Sequence, residues 1–196
     1  MTDPTEALLD AIRRGDAERA NELLEEDRTL AVEETPEGMP LVLASVYHGQ
    51  PEIADLLLRH GAPLDPFTAA ALGRTDRLEV MLDRDEAHLE RRSPDGWTPL
   101  HLAAYFGRRD TAAMLIDRGA DLRARSENEM ENEPLHAAAA GGSAGVVELL
   151  VERGAEVNSE AKGVTALDLA CGRKDDRMVR FLVDHGAHRA RKGSGS

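Results

Sequence analysis

The stretch from Asp95 to Ala120, DGWTPLHLAAYFGRRDTAAMLIDRGA, restricts the fold more than any other part of the chain. Asp95-Gly96 is a turn dipeptide. Thr98 can N-cap a helix, and Pro99 then falls at the first helical position, where its missing N–H costs nothing. Leu100, Leu102, Ala103 and Ala104 give that helix an apolar side, and Gly107 can take the left-handed conformation that ends it. A second short helix is predicted over Thr111 to Arg118, with Ala112, Met114, Leu115 and Ile116 for packing, and Gly119 closes it. Helices this short cannot bury their faces alone. They need neighbours of the same kind.

The rest of the chain supplies them. The glycine between the two helices can be followed as Gly15, Gly49, Gly73, Gly107 and Gly142, with Lys174 in the last place, at spacings of 34, 24, 34, 35 and 32. Turn, Thr-Pro-Leu-His, Ala-Ala, Gly and a Leu-rich helix ending in Gly-Ala together resemble an ankyrin repeat, whose period is about 33 residues. The resemblance implies an all-α solenoid of six helix-turn-helix repeats, at about 3–34, 35–64, 65–92, 93–125, 126–158 and 159–188. One domain over 2–188 is expected, followed by a flexible tail at 189–196.

The repeats depart from the pattern in particular ways. Repeat one opens on an Asp3-Pro4-Thr5-Glu6 helix start and puts Asp27-Arg28 where Gly-Ala is expected, as suits an N-terminal cap. Repeat two is one residue longer between Pro40 and Gly49 than repeat four between Pro99 and Gly107, which leaves its register open by one. Between repeats two and three, Pro63-Leu64-Asp65-Pro66 replaces the turn-and-hairpin finger, so a gap in the row of fingers is predicted. Repeat five keeps Pro134, Leu135, His136 and Gly142 but has Glu133 in place of the capping Thr. Repeat six reads as the C-terminal cap.

With 41% apolar, 31% charged and only 3% aromatic residues, the chain has the composition of a globular protein with a thin core. No apolar run approaches the roughly 20 residues of a membrane span, and no signal peptide precedes the first helix, so a cytoplasmic location is expected. A net charge of −13 repels phosphate backbones, so neither nucleic acid nor membrane is expected as a partner. Basic residues are nearly all Arg, with Lys only at 162, 174 and 192, which suggests a GC-rich bacterial gene and a stand-alone bacterial repeat protein. The single Cys171 excludes an internal disulfide and aligns with a packing position.

The resemblance also assigns roles. His101 and His136 occupy the Thr-Pro-Leu-His positions, which implies hydrogen bonds that tie neighbouring repeats together. In such repeats the residue after the turn Gly and the two before the interhelix Gly face a concave groove. Trp97, Tyr105 and Phe106 hold these places in repeat four, and Tyr47 and His48 hold two of them in repeat two. Four of six aromatics thus fall where such proteins contact partners, although Phe106 or Trp97 could instead simply pack on a neighbouring finger. The expected function is a non-catalytic, monomeric protein-binding scaffold with an aromatic hot spot and an acidic border that favours a basic or mixed-charge partner.

Two rivals have sequence features to weigh. For a repeat-based enzyme or small-ligand binder, Gly141 to Gly145, GGSAG, matches the nucleophile-elbow string of a hydrolase with Ser143 as nucleophile, but that motif needs a strand running into the Ser, and here an Ala-rich helix does. A designed scaffold without a natural partner is the other, and the irregular fingers argue against it. Lone His pairs fall short of a metal-ligand set, and no cofactor motif is present. Glu127, Glu129, Glu131 and Glu133 read as a solvated turn that would also suit a basic partner.

Overall fold

The computed structural model describes residues 3–190. Twelve α-helices stand in these residues and pair into six hairpins. The first helices are α1 (Pro4–Arg14), α3 (Leu41–Tyr47), α5 (Pro66–Leu72), α7 (Pro99–Tyr105), α9 (Pro134–Gly141) and α11 (Ala166–Arg173). The second helices are α2 (Ala17–Glu26), α4 (Pro51–Arg59), α6 (Thr75–Arg84), α8 (Arg109–Asp117), α10 (Ala144–Glu152) and α12 (Asp176–Asp184). Among the described residues, extended pairing is limited to two isolated bridges, Glu34 with Pro40 and Ala161 with Val164.

Each hairpin turns on the left-handed residue that the spacing singled out, with φ of 71° at Gly15, 73° at Gly49, 75° at Gly73, 68° at Gly107 and 73° at Gly142. Lys174 adopts the same conformation at 58° without being a glycine. First helices stack on first helices, α1 to α3 to α5 to α7 to α9 to α11, and second helices form an outer layer. The small residues of the first helices, such as Ala69 to Ala71, Ala103, Ala104 and Ala137 to Ala139, let these short rods approach closely, and all are buried. At Gly141 the approach is closest, since a Cβ there would lie 2.0 Å from the Tyr105 carbonyl oxygen.

The register of repeat two is settled by its proline. Pro40 is the N-cap of α3 rather than its first residue, so Pro40 matches Thr98, and Tyr47, His48 and Gly49 match Tyr105, Phe106 and Gly107. Repeat three lacks a finger: the chain passes directly from α4 to Asp65, whose carboxylate caps α5 by accepting from the backbone N–H of Phe67 (2.7 Å) and Thr68 (2.9 Å). Two short 3-10 segments, Arg28–Val32 and Glu86–Leu89, lie at the ends of repeats one and three. Each starts at an Asp that stands where Gly-Ala ends the other repeats, and buries a leucine, Leu30 or Leu89. The second helix of repeat four begins at Arg109, two residues before the predicted start. Arg189 and Ala190, expected in the flexible tail, are bonded to the Asp168 carboxylate at 2.8 and 3.0 Å, while 191–196 lie outside the described residues.

Candidate functional site

Thr98 begins α7 with a reciprocal cap. Its hydroxyl oxygen accepts from the His101 backbone N–H (3.3 Å), and its own backbone N–H donates to His101 Nδ1 (3.4 Å). With Nδ1 accepting, the proton sits on Nε2, which donates to the Asn132 carbonyl in the next finger at 2.9 Å. His101 is fully buried, and desolvation pushes its pKa down to about 4 against the favourable carbonyl bond. His136 repeats the arrangement, donating to the Ser159 carbonyl at 2.9 Å, and burial lowers its pKa also. Glu133, in the place of Thr98, turns toward repeat six and accepts from the Ser159 hydroxyl at 2.7 Å. In repeat six Asp168 replaces the His. Partial burial would raise its pKa, but Arg189, the Ala190 N–H and Thr165 hold the carboxyl well below the usual range.

The aromatic residues come together. Tyr105 meets Trp97 edge-on at 5.2 Å between ring centroids and Phe106 at 5.1 Å, and Tyr47 of repeat two lies 5.1 Å from Phe106. Tyr47 reaches this cluster across the place where the third finger is missing, and its hydroxyl donates to Asp95 on the fourth finger. Burial and the facing Asp95 carboxylate both raise the Tyr47 pKa, so the hydroxyl keeps its proton. Trp97 is only 9% exposed, and its indole N–H is buried without a partner. Tyr47, Tyr105 and Phe106 are half-buried and His48 is exposed. Tyr47 and His48 line a cleft of about 390 Å³ together with Met39, Glu37 and Asp95 from the fingers.

Ser143 stands between α9 and α10, and its hydroxyl donates to the Tyr105 carbonyl at 3.1 Å. Two glycines of the GGSAG string have structural uses: Gly141 lets α9 touch α7, and Gly142 is the left-handed turn. A second groove, of about 330 Å³, opens between the fifth and sixth fingers, with Met130, Asn132 and Val164 on its walls. Sequence reading passed over these three. A signal was present, since Val164 follows the turn glycine Gly163 just as Trp97 follows Gly96, and Asn132 precedes the cap as both do.

Stacked helix pairs, left-handed hinges, projecting fingers and a buried His that bonds the next finger define a helical repeat solenoid. A model of the ankyrin repeat matches residues 95–127, and one described as ankyrin repeats (3 copies) matches residues 122–192. The chain belongs to the ankyrin repeat family. It is similar to protein phosphatase 1 regulatory subunit 27 of Homo sapiens, with 30% identity over 120 residues, which are 61% of this chain and 62% of that one. Alpha-latrocrustotoxin-Lt1a of Latrodectus tredecimguttatus is 39% identical over 98 residues, 46% of this chain but 7% of the toxin. Ankyrin repeat and SAM domain-containing protein 3 of Homo sapiens is 33% identical over 60 residues, 31% of this chain and 9% of that protein. The chain therefore spans less than two thirds of each of these relatives. They come from animals and lend no support to a bacterial origin. Family and relatives together point to a protein-interaction domain. No helix among the described residues is long and apolar enough to cross a membrane.

Proposed function

We propose that the chain is a non-catalytic, monomeric, cytoplasmic scaffold that holds a partner protein on its concave side, its six repeats acting as one domain over 2–188. The observation that carries this reading is the joining of Tyr47, Tyr105 and Phe106 into one half-exposed aromatic surface beside His48 and the 390 Å³ cleft. Aromatic side chains bury much area with few rotamers to lose, which is why truncating one at a hot spot costs about 2 kcal/mol or more of binding. The cleft is lined by Glu37 and by Arg13, whose charge is taken up by Glu6, so Glu37 and the overall charge of −13 favour a basic or mixed-charge partner. Trp97 supports this surface from beneath. The test is capture of partner proteins from a cell extract by the immobilised chain. Phe106→Ala and His48→Ala should each reduce capture of the same protein at least tenfold, Phe106→Ala with a modest loss of melting temperature because the ring also packs on Tyr47 and Tyr105, and exposed His48→Ala with none. Undiminished capture by both variants would remove the aromatic surface from consideration.

A further inference from the structure

The groove between the fifth and sixth fingers is built differently from the aromatic surface. Met130 and Val164, from fingertips a full repeat apart, form its outer walls and are 57% and 36% exposed. Ala140 of α9 and Leu169 of α11 form its inner wall, and His136 and Asn132 its floor. Solvent-exposed aliphatic side chains facing one another across a cleft of about 330 Å³ make a seat for one large apolar side chain, near the lower end of the roughly 300–1,000 Å³ typical of ligand clefts.

The polar groups restrict what can sit there. Asn132 is 4% exposed, and its side-chain oxygen is buried without a donor. A buried acceptor with no partner is uncommon in a folded protein, and it calls for an N–H. Extended polypeptide offers one at every residue. Anionic ligands are disfavoured, because the free acceptor and the carboxylate at the mouth both repel them. That carboxylate is Glu129: Lys162 on the opposite lip is engaged by Glu131, while Glu129 has no ion pair among the described residues. The uncompensated charge at the opening is therefore negative.

We infer that this groove takes an apolar side chain from an extended segment of a partner polypeptide, with an adjacent Lys or Arg meeting Glu129 and an N–H of the segment satisfying Asn132. The inference rests on the protein-binding reading above and adds to it a second contact point and the chemistry of the segment recognised there. A second copy of this chain is a poorer occupant, since each copy carries a charge of −13.

The probe is a library of random nonapeptides displayed on phage and selected against the full chain, the enriched sequences being remade as fluorescein-labelled peptides for anisotropy. Enriched peptides should share a large apolar residue next to Lys or Arg. Met130→Asp and Val164→Asp, at exposed positions, should each weaken these peptides at least tenfold without lowering the melting temperature. Glu129→Lys should exchange the preference for a basic neighbour for an acidic one. If binding survives both Asp variants and is lost in Phe106→Ala, the groove is not the seat and the aromatic surface alone stands. Absence of any enriched peptide overturns the groove while leaving the capture experiment to decide the aromatic surface. Concentration-dependent dimerisation that Val164→Asp abolishes would show a second copy as occupant and overturn the inference as well.

Discussion

Lys174 occupies the hinge position that glycine fills in the other five repeats, with φ at 58°. A side chain in this left-handed region costs about 1–2 kcal/mol, part of which glycine returns through its looser unfolded chain. Lys174→Gly should therefore raise stability by about 0.5–1 kcal/mol in a urea titration. His101 gives a pH dependence whose sign is fixed by its burial. Its pKa is lowered to about 4, from about 6.5 in the unfolded chain, so folding requires the neutral ring. Stability should be complete above about pH 6.5 and decline as pH falls toward 4, and His101→Asn should flatten that slope. Asp168, whose pKa is lowered, contributes its own loss only at more acidic pH. Trp97 belongs to the packing. Its emission should be blue-shifted and poorly quenched in the free protein, and Trp97→Ala should cost about 3–5 kcal/mol of folding stability, as at other core aromatics. Red, quenchable emission would contradict that burial.

At the scale of elements, the missing third finger is bridged by one side chain. Tyr47 leaves the end of α3 and bonds Asp95, 48 positions on, which itself accepts from the Ser93 hydroxyl. Hydrogen bonds to charged groups contribute about 1.5–3 kcal/mol, so Tyr47→Phe should destabilise by that order, as read from equilibrium unfolding. Helix pairs, left-handed hinges and the missing finger were legible in the sequence because each is marked locally, by Pro, Gly or a spacing of 24. The Tyr47 bridge was not, since nothing near residue 47 says that a carboxylate beyond the next repeat will face it. The 3-10 segments escaped for a different reason: Asp27 and Asp85 show that the usual ending is absent without showing what replaces it. As for the proposed surface, Tyr105, Phe106 and His48 are singled out by position in the repeat. Trp97, placed by the same rule, is buried because its indole is enclosed by Tyr47, Tyr105 and His101.

Across the whole molecule, the outer layer is laced by a repeating ion pair in which an Arg reaches back to an acid of the preceding repeat. Arg74 meets Asp55, Arg118 meets Asp83, Arg153 meets Asp117, and Arg177 meets Glu148. Such exposed pairs contribute about 0–1 kcal/mol each. Arg118→Ala should accordingly shift the unfolding free energy by no more than about 1 kcal/mol, and a larger loss in denaturant titration would mean that the pairs act as a network. One junction differs from the rest. Between repeats two and three no fingers meet, and α4 and α6 are in only slight contact. Pulled from its two ends, a solenoid behaves as a spring whose coils open in turn, and here the coils are unevenly tied. The load across that junction falls on the inner helices, on the exposed Arg74–Asp55 pair and on the Tyr47–Asp95 strut, so under tension the molecule should give way there first, separating two intact blocks before either uncoils.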